Sequence, residues 1–229
     1  MPATGVEAPV DMRGAGLAPD VLVCFSEIAA GGDTGVDLWH QHEQRHAPPA
    51  ASGCRTARRY RMMGSEGAFM VVHRGCLRNL PLSVLPRDAT PGAANGLTEG
   101  VHDTVQWACS ETWSAGQGFG GGVIVVHCKP MQGRERAARD HIKHNFGPGN
   151  VPAMVRTSLW ETASESGTPR SLPTAAGLHW VLLLESYDVA RMALALHESL
   201  LHCDSDRTGL LVGSWRRYQL ISADEHCAA

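Results

Sequence analysis

Val21-Leu22-Val23-Cys24-Phe25 is a short apolar run. It is followed by a helical stretch at Leu38–Arg45 and by two extended stretches, Arg55–Met62 and Phe69–His73. The same order recurs in the second half, as Val123-Ile124-Val125-Val126, a helical stretch at Arg134–His144, then Met154–Glu161 and His179–Glu185. Brief apolar runs bounded by Gly, Pro and polar clusters read as strands, whereas apolar residues three and four apart read as helix. Val189–Leu201 carries Val189, Met192, Ala193, Leu196 and Leu200 at helical spacing, and Leu210–Ile221 closes the unit as a strand.

The pattern is β-α-β-β-α-β, the ferredoxin-like split motif, expected twice. The expected class is therefore α+β: tandem duplicated ferredoxin-like units whose antiparallel sheets pack into an α/β barrel. One face of each four-stranded sheet carries helices, and the other must be covered or it exposes apolar surface. Two copies in one chain can cover each other. A homodimer is compatible with this design but not required. The expected divisions are a disordered lead-in over 1–20, a first repeat over 21–115, a glycine-rich linker over 116–122 and a second repeat over 123–221. Leu80–Leu85 reads as a helical turn and Asp88–Gly100 as a surface loop. Val101–Thr112 fits a strand or a short helix equally well.

At 229 residues with 43% hydrophobic composition, the chain can bury a sizeable core. A net charge of -3 gives no nucleic-acid footprint. No run is long and apolar enough to span a membrane. Met1–Asp20 lacks the cationic and apolar regions of a signal peptide, so a cytoplasmic location is expected. The seven cysteines are odd in number and include no C-x-x-C pair, which suits free thiols in a reducing compartment. The glycines of 116–122 do not form a G-x-G-x-x-G loop in strand-to-helix context, so a dinucleotide site is not expected.

The stretch Trp39-His40-Gln41-His42-Glu43-Gln44-Arg45-His46-Ala47-Pro48, with Gly53-Cys54-Arg55-Thr56-Ala57-Arg58-Arg59-Tyr60 after it, resembles the dimeric α/β-barrel superfamily and its EthD-like branch. Glu43, His46, Pro48, Gly53 and Arg58 or Arg59 match a Glu-x-x-His-x-Pro helix end and the Gly-Phe-x-x-x-x-Arg strand behind it. Cys54 stands where an aromatic is usual. Gly213–Leu220 resembles the last strand of such a domain. The second half departs from the pattern, with His141 and His144 before Phe146-Gly147-Pro148 and no matching Glu. The resemblance implies a barrel that acts on carbonyl compounds, with the site in the first half.

Four residues are the expected catalytic group. His46 stands as general base, with Glu43 three positions earlier to fix its tautomer and raise its basicity. Arg59 and Tyr60 stand as stabilisers of negative charge. A helix-end ion pair explains Glu43 and His46 equally well. Trp39, His42, Arg55 and Arg58 are the expected substrate-binding residues. Strand alternation puts Arg55, Arg59 and Arg61 on one face and Arg58 with Tyr60 on the other. An inward arginine suits a carboxylate or enolate oxygen, while a charged, protected edge strand is the competing account. His42 and His46 could chelate a metal, but no third ligand stands at a confirming offset, so none is expected.

The leading expectation is a cofactor-independent enzyme on a small apolar carbonyl compound, of isomerase, cyclase, decarboxylase or oxygenase type. Haem binding is the first alternative, since the superfamily includes duplicated haem barrels; His141, His144, His179 or His197 would be the ligand. A non-catalytic small-ligand carrier is the second.

Overall fold

The structure is a computed structural model that describes residues 20–28, 54–65, 67–75, 101–162, 179–201 and 204–225. The expected helix at Leu38–Arg45, the lead-in, the turn at Leu80–Leu85 and the loop at Asp88–Gly100 lie outside the described residues.

The strands are β1 (Val21–Ile28), β2 (Cys54–Met62), β3 (Ala68–Gly75), β4 (Val101–Gly116), β5 (Gly122–Pro130), β6 (Met154–Thr162), β7 (Trp180–Ser186) and β8 (Leu210–Glu225). They close into one barrel in the order β4-β1-β3-β2-β8-β5-β7-β6, and every pairing is antiparallel. The first four strands stand in the order fourth, first, third, second, and so do the last four. The two groups meet at two seams, β2 with β8 and β4 with β6. Among the described strands, closure leaves no free sheet edge, which disposes of the exposed apolar face and of unpaired backbone together.

This corrects one expectation and decides one that the sequence left open. β2 is not a charge-protected edge strand, because it lies between β3 and β8. Val101–Gly116 is one long strand that pairs with β1 along its first part and with β6 along its last. It serves two neighbours, and its pattern is too mixed to show from periodicity alone. Val151–Ala153 form a turn, with Ala153 at φ 64°.

Each apolar run is buried on both faces, which is why β5 and β7 read as continuous rather than alternating. Val123 and Val125 face the barrel interior with Val21, Val23, Val72, Trp160, Val181 and Leu183. Ile124, Val126, Leu182 and Leu184 face outward, against the helices α1 (Glu135–Asn145) and α2 (Val189–Leu201). Ala138 and Ile142, four apart on α1, and Met192 and Leu196, four apart on α2, supply the helix side of that layer. The Asp188 carboxylate accepts the Arg191 N–H at 3.0 Å, which caps the start of α2. A short helix, α3 (Ser205–Thr208), leads into β8.

Candidate functional site

The β1 register places Arg74 and Cys109 beside Val21 at one end of the barrel, and Met70 and Val105 beside Phe25 towards the other. The two ends differ in chemistry. At the Val21 end, charged side chains from both halves of the chain satisfy each other. Arg74 Nη1 donates to Glu111 Oε2 at 2.7 Å, Arg156 Nη2 to Glu111 Oε1 at 3.3 Å, and Arg58 Nη1 to Glu185 Oε2 at 3.2 Å. Ser158 Oγ accepts from Arg74 Nη2 at 3.4 Å. Burial holds the Arg74 guanidinium below the ordinary arginine range, and Glu111 opposes that shift.

The Phe25 end opens as a cavity of about 550 Å³, lined by Phe25, Trp107, His127, His179, Arg216 and Tyr218 among others. Its walls come from β1, β3, β4, β5, β8 and the residue before β7. The His127 ring packs against Phe25 and Trp107, with centroids 5.0 Å away in both cases, and His179 lies 5.7 Å from Trp107. Burial, then the Arg216 charge, then His179 push the His127 imidazole down to about 4. His127 is therefore neutral at neutral pH and offers a free ring lone pair. Burial also pushes the Tyr218 phenol up to about 12, so it remains an O–H donor.

The expected site residues divide. Arg58 and Tyr60 do share the inward face. Tyr60 is only 1% exposed, and burial is the largest cause raising its phenol. The Arg58 guanidinium is taken up by the protein's own Glu185 rather than left open to a ligand. Arg59 points away from Tyr60, to the outer face, where it and Arg61 lie 5.3 and 5.5 Å from the Phe69 ring. Arg55 is exposed. Trp39, His42, Glu43 and His46 lie outside the described residues. His141 sits on α1 with its ring against the Asn145 amide at 3.0 Å, away from the barrel mouth.

His127 was not among the expected residues, although the sequence carries a signal for it. It falls on the same alternation phase as Val123 and Val125, at the end of a run whose odd positions face inward. Arg216 and Tyr218 share a face of β8 by the same rule. A donor set of two ring imidazoles with nearby cations also suits an axial haem ligand and its carboxylates. Among the described residues, no group of three or more His, Cys, Asp or Glu could hold a metal ion.

No protein-family model matches the sequence, and no curated protein matches it. Solved structures do match its fold. An anthrone oxidase-like protein superposes with a TM-score of 0.59 at 11% identity, over 90% of this chain and 93% of that one. A candidate monooxygenase from Lactobacillus acidophilus gives 0.58 at 8% identity, over 91% and 97%. A candidate chlorite dismutase gives 0.53 at 12% identity, over 89% and 96%. At such identities the likeness establishes architecture alone: the chain has a ferredoxin-like α/β-barrel fold. No helix among the described residues is long and apolar enough to cross a membrane.

Proposed function

We propose that the barrel mouth binds a small, flat, largely apolar carbonyl compound and removes a proton from the carbon beside its carbonyl. The observation that carries this reading is a neutral, aromatic-walled His127 in a cavity that also presents a protonated Tyr218 and the Arg216 cation. Phe25 and Trp107 supply flat apolar surface for a ring system. In the step, the C–H bond breaks, the proton passes to the free ring nitrogen of His127, and the electron pair moves into an enolate. Tyr218 O–H and Arg216 stabilise the developing oxyanion. The new negative charge in turn raises the basicity of the imidazole beside it, which offsets its low value in the empty site.

Cofactor independence is part of this proposal, since proton transfer and charge stabilisation are both supplied by side chains. The enolate can be reprotonated elsewhere, cyclise or react with dioxygen. The names of the structural neighbours describe those proteins, and they make dioxygen uptake the first fate to assay. The base moves here from His46 to His127, and the role of Glu43 and His46 rests on the sequence motif alone. The recurring fourth-first-third-second strand order supports reading the chain as two tandem ferredoxin-like units. The EthD-like assignment rests on the Glu43–Pro48 and Gly53–Arg59 motifs.

The test is saturable binding of 2-tetralone, a bicyclic aromatic ketone, followed by tryptophan fluorescence. Val105→Trp, which fills the mouth, is expected to abolish binding; a variant that binds unchanged would place the ligand elsewhere. The second reading is haem binding, favoured by the imidazoles of His127 and His179 beside Arg216 and Lys129. Those imidazoles would hold the iron, which when bound supplies redox chemistry. A shifted Soret band at one equivalent of hemin, lost in His127→Ala or His179→Ala, would select it.

A further inference from the structure

The guanidinium of Arg216 does not lie along its own wall of the barrel. β8 and β1 are separated by β2 and β3, yet Arg216 Nη1 stands 3.6 Å from Glu27 Oε1 on β1. On the way it passes Met62 at the end of β2, with its Nη1 3.7 Å from the Met62 sulfur. Glu27 and Arg216 both line the cavity. The ion pair therefore joins two strands that both line the cavity.

Its energetics suit a displaceable contact. The Arg216 and Glu27 side chains are 47% and 63% exposed, and the contact is long for a charge-assisted bond. Exposed pairs of this kind are weak, because solvent screens them and two long side chains must be held in place. A ligand anion brought into the mouth on a flat apolar body would meet the same guanidinium in a drier setting, where the attraction is stronger. Among the described lining residues the cations Arg216 and Lys129 outnumber the one carboxylate, Glu27, and both imidazoles lie alongside. An acidic substituent on the ligand restores balance once it takes the place of Glu27.

We propose that Arg216 determines specificity by binding an acidic group of the substrate, a carboxylate or phenolate carried on an aromatic ring system, and that Glu27 occupies Arg216 until that group displaces it. The inference rests on the barrel mouth being the binding site, and it narrows the substrate from an apolar carbonyl compound to an acidic aromatic one. Glu27 acts as an internal stand-in for the ligand. It keeps Arg216 paired in the empty protein.

The test compares two probes of the same shape, 2-naphthoate and neutral 2-naphthamide, by tryptophan fluorescence titration at neutral pH. The wild type is expected to bind naphthoate at least about tenfold tighter than naphthamide, the scale of one charge-assisted contact. Arg216→Gln should remove that preference, read as the ratio of the two affinities within each protein. Glu27→Gln, which deletes the competitor, should strengthen naphthoate about threefold or more. Equal binding of both probes by the wild type would overturn the role of Arg216 while leaving the pocket reading intact, as would an undiminished preference in Arg216→Gln. Weaker naphthoate binding in Glu27→Gln would overturn the stand-in role. Failure of both probes to bind would overturn this inference and the pocket reading together.

Discussion

Arg58 Nη1 donates to Glu185 Oε2 across 3.2 Å inside the barrel, and the two residues stand 127 positions apart, one in each half of the chain. Glu185 is 1% exposed and also accepts the Gly120 N–H at 3.4 Å. A buried pair is costly to break, because the partner left behind is an uncompensated charge. Glu185→Ala is therefore expected to destabilise the protein by about 3–5 kcal/mol. The double variant Arg58→Met, Glu185→Leu should recover most of that loss, since it removes both charges and keeps the volume. Urea denaturation of the three proteins decides the matter. A double variant no more stable than Glu185→Ala would mean that the pair is not the source of the loss.

His127 links the cavity to stability through pH. Its folded value is about 4, against 6.5 for an ordinary imidazole. As pH falls, the unfolded chain takes up this proton near 6.5, while the folded one resists until near 4. The contribution of neutral His127 is thus complete above pH 6.5 and is lost progressively down to pH 4, amounting to at most about 3 kcal/mol. His127→Phe places in the second half the residue type that Phe25 supplies at the corresponding position of the first. It should flatten the urea midpoint over this window relative to the wild type. Parallel pH profiles for the two proteins would show that His127 titrates normally.

Gly116 closes β4 at φ 89°, and a Cβ there would run into the Val155 carbonyl oxygen and come within 2.6 Å of Pro148 Cγ. Backbone cannot move aside as a flexible side chain can, so Gly116→Ala is expected to cost roughly 2–4 kcal/mol. Gly118, at φ 90°, has no atom within 4 Å of the same built position among the described residues. Its alanine variant bears only the backbone strain, about 1 kcal/mol. Equal losses in thermal denaturation would refute the close approach as the cause.

Much of the architecture was legible because it rests on local signals. Val21–Phe25 and Val123–Val126 read as strands from composition, and Val189, Met192, Ala193 and Leu196 give α2 from spacing; the structure places those residues in the core. β4 was not legible, since its pattern answers to β1 over one stretch and β6 over another. The candidate site was harder still. Phe25, Trp107, His127 and Arg216 are distant in sequence, and only barrel closure brings their strands to one mouth. The arginines of β2 attracted attention by number, yet Arg58 serves Glu185 and Arg59 lies against Phe69 on the outer face. What the sequence did contain was correspondence: Val21, Val23 and Phe25 match Val123, Val125 and His127, so aligning the two halves would have flagged the histidine that replaces an aromatic.

The central claim is that His127 takes a proton from a carbon acid bound in the barrel mouth. The direct measurement is the rate of deuterium incorporation at the carbons beside the carbonyl of 2-tetralone in deuterated buffer, followed by proton NMR. It reads the proton-transfer step whatever the later fate of the enolate. The wild type is expected to accelerate exchange over buffer, and His127→Gln, still folded and still binding the ketone, to slow it by about a hundredfold or more. Exchange at the wild-type rate in His127→Gln, or no acceleration by the wild type at all, would contradict the account.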